Sequence, residues 1–74
     1  MGNLEQLLAR AEREVSRGEL IIARQRMHVE KQQLNGHDCT QSRKLLALFN
    51  DIQRMHLAHL NQLKKELEAF SRAL

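Results

Sequence analysis

The sequence contains no proline, tryptophan or tyrosine, and its 74 residues include only one cysteine, two phenylalanines and three glycines. A chain without proline has none of the residues that most strongly break helices. The single cysteine, Cys39, excludes a disulfide within the chain, and a free thiol is typical of a reducing compartment. Good helix formers dominate the rest. The composition therefore predicts helices that no covalent bridge stabilises.

Long apolar runs are also missing. The longest are residues 20–23 and 45–49, whereas a membrane-spanning helix needs about 20 apolar residues. No basic stretch followed by an apolar one indicates a secretion signal, so we expect a cytoplasmic protein that does not enter the membrane. The sequence has no glycine-rich phosphate loop and no clear Ser–His–Asp arrangement, and we therefore expect no enzymatic activity.

Apolar residues recur at sevenfold spacing in both halves of the chain. The rows are Leu8, Val15, Ile22, Val29 and Leu4, Ala11, Gly18, Gln25, Gln32 in the first half, then Leu46, Gln53, Leu60, Leu67, Leu74 and Phe49, His56, Leu63, Phe70 in the second. Leu7, Ile21 and His28 widen the first stripe. Such rows lie on one face of a helix and are typical of coiled coils. They predict helices over about residues 3–34 and 39–73.

Residues 35–38 separate the two helical patterns and read Asn-Gly-His-Asp. Gly36 can take the left-handed conformation that ends many helices. Asp38 can accept hydrogen bonds from the free N–H groups that open the next helix. The sequence therefore predicts one domain over residues 1–74, an all-α antiparallel helical hairpin.

Polar residues interrupt the predicted seam between the helices. If the turn centres near His37, facing residues have numbers that sum to about 74. Gly18 then lies opposite His56, and Gln25 opposite Phe49. We expect Gly18 to leave room for the His56 ring, and the buried polar groups to fix the register of the hairpin.

In the half near the turn, further apolar residues accompany the seam. On the first helix they form a second stripe roughly opposite the first, Leu20, Met27 and Leu34, and on the second helix they broaden the seam, Leu45, Leu48, Ile52 and Met55. One hairpin partner covers one stripe per helix, so these residues predict an exposed apolar patch, which usually marks an interface. A core of this size rarely contributes more than about 3–5 kcal/mol. We therefore expect two hairpins to form a homodimeric four-helix bundle. The alternative is a monomer with scattered surface Leu and Met.

Metal binding is one functional alternative. The possible ligands are His28, His37, Cys39, His56 and His59. His56 and His59 are three residues apart, so both could face one ion. Metal sites in bundles usually add carboxylates in a Glu-x-x-His pattern, and this pattern is missing here. We therefore expect no metal and no other cofactor, although a chemical role for these side chains stays open.

Nucleic-acid binding is the second alternative. The net charge is +3 and the pI about 9.6. Arg10, Arg17, Arg24 and Lys31 recur at sevenfold spacing, and such a row could follow phosphates. Acidic residues are interleaved throughout, however, as they are along the flanks of ordinary coiled coils. A self-associating protein-interaction module is therefore the first interpretation, and a small basic nucleic-acid-associated protein the second.

Several segments of the chain resemble a set of small, uncharacterised bacterial helical-hairpin proteins. The segments are Gly18-Glu19, Ile22-Ala23-Arg24-Gln25-Arg26, Gly36-His37-Asp38, Leu45-Leu46 with Phe49, and His56. The pattern of that set reads roughly Glu-Arg-His-Ile-Ala-Arg-Gln-Arg, a Gly-His-Asp-Thr turn, then Leu-Leu-x-x-Phe and a later His. This sequence departs from it at Leu20, Ile21 and Cys39. The resemblance implies the hairpin and its turn, and it implies no activity.

Overall fold

The chain forms a helical hairpin. A computed structural model describes residues 2–74, in which helix α1 runs over Gly2–Leu34 and helix α2 over Thr40–Ala73, without any strand. The helices pack against each other along their length. Contacts that join Val15 to Gln53 and Gln25 to Ser42 show that the two helices run antiparallel. The prediction of an all-α fold made of two packed helices is confirmed.

Both helices are long, and charged residues near their ends suit the helix dipoles. Glu5 in the first turn of α1 and Lys31 in its last turn complement the helix dipole. Arg72 does the same at the end of α2. At about 1.5 Å per residue each helix is roughly 50 Å long, which agrees with overall dimensions of 60 × 15 × 13 Å.

The end of α1 is closed by Gly36. This residue has a φ of 70°. Its N–H donates to the Gln33 carbonyl at 3.1 Å. The N–H of His37 donates to the Gln32 carbonyl at 2.8 Å. This pair of bonds is the Schellman motif, which satisfies carbonyls that a helix end leaves free. No atom lies within 4 Å of the place where a Cβ would stand, so the glycine is required for its backbone conformation.

The start of α2 differs in detail from the prediction. The helix begins at Thr40, and the N-cap is Cys39, whose side chain makes no capping hydrogen bond. Asp38 precedes the cap and accepts hydrogen bonds from the Thr40 N–H at 3.0 Å and from the Thr40 hydroxyl at 2.7 Å. These two bonds hold the pKa of Asp38 below its ordinary value. Asp38 therefore orders the first turn of α2 from outside the helix.

The apolar core is small and lies toward the open end of the hairpin. Its buried cluster consists of Ala11, Val15, Leu60 and Leu63, with Leu4 and Leu8 packed against it. Val29 is buried nearer the turn. The last two seam positions of α2, Phe70 and Leu74, are 52% and 92% exposed. The predicted seam is thus buried only in part, because a single neighbouring helix cannot surround it.

The polar residue against Gly18 is Gln53, and the prediction of His56 at this place was wrong. A Cβ at Gly18 would lie 1.8 Å from Gln53 Oε1, and Gln53 Nε2 donates to the Val15 carbonyl at 2.8 Å. His56 lies one turn further along α2, with its Nδ1 3.4 Å from Gln53 Oε1.

A shift in the same direction, but larger, appears nearer the turn. The Nε2 of Gln25 donates to the Ser42 carbonyl at 2.9 Å, a full heptad before the predicted neighbour, Phe49. The Schellman motif explains the difference, because it folds the chain back beside the last turn of α1. Helix α2 therefore does not start level with the end of α1.

Candidate interaction surface

An open groove runs between the helices on one side of the Gln53 side chain. It is lined by Glu14, Arg17, Gly18 and Ile21 from α1 and by Phe49, Ile52, Gln53 and His56 from α2. Gly18 has no side chain, and the Gln53 carboxamide occupies the space beside it. Ile21 and Ile52 stand on its two walls, and each is 38% exposed. The groove is therefore mainly apolar, with charged groups at its α1 edge.

All seven residues of the predicted apolar patch are exposed in the single hairpin. Their exposed fractions range from 38% for Ile52 to 86% for Leu34, with Leu20, Met27, Leu45, Leu48 and Met55 between these values. The structure thus places every one of them at the surface. It does not, however, bring all seven together.

The α1 members of the patch point away from α2. Met27 lies halfway between Gln25 and Val29, which both face α2. Two residues correspond to about 200° around a helix, so Met27 is on the opposite side. There it borders a shallow depression with Arg24, His28 and Lys31. Leu20, midway between two inward positions, points outward for the same reason.

The α2 members of the patch are continuous with the groove. Ile52 lines the groove, and Leu45, Leu48 and Met55 lie at helical spacings of seven, four and three residues from it, which place them on the same side of α2. We refer to Leu45, Leu48, Ile52 and Met55 as the α2 apolar face. Together with the groove this face forms one surface that a single hairpin leaves uncovered.

Ile21, which the sequence pattern predicts at the widened margin of the first stripe, belongs to this surface. Its sevenfold row contains Leu7 and His28, and all three are exposed. The row therefore lies on the flank of the seam. A sequence signal for this was available, since a polar residue, Glu14, occupies the same row.

A row of cations runs along α1 beside the groove. Arg10, Arg17, Arg24 and Lys31 are all exposed. Arg17 lines the groove itself, whereas Arg24 and Lys31 border the depression around Met27. The ion pairs found in residues 2–74 join Arg54 to Asp51 and Arg72 to Glu68, both on the surface of α2. Across the described chain the four cations of the row thus have no carboxylate partner. We call them the α1 cation row.

The possible metal ligands are dispersed. Within residues 2–74 no three His, Cys, Asp or Glu side chains come close enough together to hold one ion. His56 is half-buried in the groove, Cys39 is half-buried at the start of α2, and His28, His37 and His59 are exposed. In the part of the chain that the structure describes, no helix is long and apolar enough to cross a membrane.

No protein-family model matches this chain, and neither a curated protein nor a solved structure shows significant similarity to it. The fold and the surface alone define its class: a two-helix hairpin with an uncovered apolar groove.

Proposed function

We propose that this chain is a non-enzymatic structural or protein-interaction module, which pairs with a second copy to form a four-helix bundle of the coiled-coil type. The bundle would act in the bacterial cytoplasm and present its outer helical faces to another protein. The observation that carries the proposal is the uncovered surface formed by the groove and the α2 apolar face. Exposed apolar surface of this extent usually marks an interface.

The exposed area of the chain supports the proposal. One hairpin exposes 5968 Å², whereas a compact monomer of this mass exposes about 4,700 Å². The difference, about 1,300 Å², is larger than the roughly 800 Å² that each partner buries in a standard interface. The radius of gyration is 17.1 Å, compared with about 11 Å for a compact chain of this length. Side-by-side pairing would remove much of this excess surface.

The composition of the core also supports association with a second copy. Ala11, Val15 and Val29 are small, and only Leu60 and Leu63 add larger buried apolar side chains. A core of this kind leaves a short chain marginally stable. Association with a second copy stabilises the folded state, because the partner binds the folded chain and not the unfolded one.

The test is the mass in solution, measured by light scattering over a dilution series at two salt concentrations. We expect twice the 8.6 kDa of one chain, and a melting temperature that rises with protein concentration. A mass of one chain at every concentration, with a melting temperature that does not change, would refute self-association. The apolar surface would then have to serve a different protein partner.

The α1 cation row favours the second candidate, a small basic nucleic-acid-associated protein. Binding through phosphates weakens steeply as salt rises, because it depends on the release of counterions. The second candidate therefore predicts retention of DNA or RNA at low salt, and loss of that retention in a variant with Arg17→Gln and Arg24→Gln. The interaction module predicts no retention of nucleic acid by either protein at the same low salt concentration.

A further inference from the structure

Resting on the proposed function, we infer that two copies dock through the groove and the α2 apolar face with their turns at the same end of the bundle. The occupant of the surface is thus a second copy in one defined direction. In this arrangement each α1 lies beside the partner's α2. The inference rests on the different chemistry of the two groove edges.

Two-fold symmetry offers two ways to build an all-antiparallel bundle from two hairpins. With the turns at the same end, α1 of each copy neighbours α2 of the other. With the turns at opposite ends, α1 neighbours α1 and α2 neighbours α2. The apolar surface is covered in both cases, so burial alone does not select between them.

The charges on α1 disfavour the arrangement with opposite turns. The α1 cation row repeats every seven residues, about 10.5 Å along the helix, and its member Arg17 lines the groove that docks. If α1 neighboured α1, the rows of both copies would run side by side. Arg17 of each chain would then lie in the seam with the rest of its row alongside, and Glu14 would be the one α1 carboxylate in the groove lining. Like charges in proximity repel.

The arrangement with turns at the same end removes this conflict. The row then lies beside the partner's α2, where Leu48 and Met55 are 51% and 67% exposed. The aliphatic stems of arginine can cover such residues while the guanidinium stays in water. Asp51, which pairs with Arg54 on its own helix, is one helical turn from both Leu48 and Met55. In this direction the cations of the row therefore meet apolar side chains and an ion pair, and not a second row of cations.

The single cysteine of the chain provides the measurement. Cys39 lies at the turn end, and a spin label attached to it reports the separation of the two turns by pulsed electron resonance. We expect a distance below about 30 Å, since neighbouring helices pack about 8–10 Å apart. Docking with opposite turns, centred on Ile52, would separate the labels by about 40 Å, because thirteen residues span roughly 20 Å on each side.

Each outcome decides one claim. A dimer with the short distance supports the inference, and a dimer with the long distance overturns it while the proposed function stands. A monomer, recognised by light scattering and by the absence of a distance between labels, overturns both. A label on His37→Cys in a Cys39→Ser background must give the same result, which controls for disturbance of the half-buried Cys39.

The role of charge is tested in the labelled protein carrying Arg17→Gln and Arg24→Gln. Neutralising two cations reduces the repulsion between the α1 helices in the dimer with turns at opposite ends. We therefore expect a second population of dimers at the long distance. The matched control is Lys64→Gln with Lys65→Gln, which changes the net charge equally at two exposed positions of α2 and should keep the single short distance. If both variants keep only the short distance, the cation row does not select the direction and the argument fails.

Discussion

The carboxamide of Gln53 occupies the space in which a side chain at Gly18 would stand. Its Nε2 donates to the carbonyl of Val15 at 2.8 Å, and its Oε1 would be 1.8 Å from a Cβ at Gly18. A buried polar side chain thus joins α2 to the backbone of α1. Since a buried amide without its hydrogen bond is costly, this contact favours one register of the hairpin over its neighbours.

The first prediction concerns Gly18→Ala. On an exposed helix surface this change stabilises by about 1 kcal/mol, because alanine has the higher helix propensity. Here the new methyl group displaces Gln53 and breaks its buried hydrogen bond, a loss of about 1–3 kcal/mol. We expect a net decrease of roughly 1 kcal/mol in the free energy of unfolding, measured by urea denaturation.

The control for this prediction is Gly18→Ala in a Gln53→Ala background. Without the carboxamide the clash disappears, and only the gain in helix propensity remains. The same substitution should therefore change sign and stabilise the protein. A stabilising Gly18→Ala in the wild-type background would show that Gln53 moves aside without loss, and that the contact does not fix the register.

The second prediction concerns the turn. Gly36→Val should lower the free energy of unfolding by about 1 kcal/mol or more, because a β-branched residue resists positive φ. Gly36→Asn is the matched variant, since asparagine tolerates this conformation better, and it should cost clearly less. Thermal melting followed by circular dichroism compares the two. Equal melting curves for both variants would mean that the backbone conformation of Gly36 contributes little.

The third prediction separates the two apolar surfaces. Leu48→Glu places a charge on the α2 apolar face, whereas Met27→Glu places it on the outer side of α1. Both side chains are exposed in one hairpin, at 51% and 60%, so neither change should unfold the chain. We expect Leu48→Glu to weaken dimerisation at least about tenfold, since the interface would bury an unpaired charge. Sedimentation over a dilution series measures this.

Met27→Glu should leave the dimer intact in the same measurement. If Met27→Glu dissociates the dimer and Leu48→Glu does not, then the interface lies on the outer side of α1, and the groove is not the docking surface. Helix content, followed in parallel, must stay the same in both variants for the comparison to hold.

The fourth prediction concerns acid. The pKa of Asp38 is lowered in the folded protein by the hydrogen bonds from Thr40, so the folded state binds the proton less readily than the unfolded state. The stability that Asp38 contributes is therefore present above its ordinary pKa of 3.8 and is lost as the pH falls below that value. Asp38→Asn should melt at a lower temperature than the wild type at neutral pH.

This difference in melting temperature should shrink below pH 3.8, where the wild-type carboxyl becomes protonated as well. Thr40→Val, which removes one of the two donors, should reduce the effect of Asp38→Asn. A difference that stays constant from pH 7 to acid would indicate that the charge of Asp38 has no part in the first turn of α2.

The helices and the turn could be predicted closely from the sequence. Sevenfold rows without proline define the helical faces, and a glycine between two such patterns is a local signal for a left-handed residue. The helix boundaries differ from the predicted ones by about one residue, as is usual where helices begin. Exposure of Leu48 and Met55 also followed from the sequence, since both lie outside the seam rows.

The register and the grouping of the surfaces were decided by the tertiary structure alone. Gln53 replaced His56 against Gly18 because the path of the chain after Gly36 sets how far α2 slides along α1, and a sevenfold pattern is equally satisfied after a small slide. Helical spacing had already placed Met27 opposite the seam and Leu48 beside it, but it did not determine which part of α1 lies next to Leu48. The sequence defines which residues share a face of one helix. Whether that face lies next to a given face of the other helix depends on how packing rotates each helix about its own axis. What each helix exposes is local information in the sequence, whereas which exposed residues lie side by side is a property of the packed hairpin.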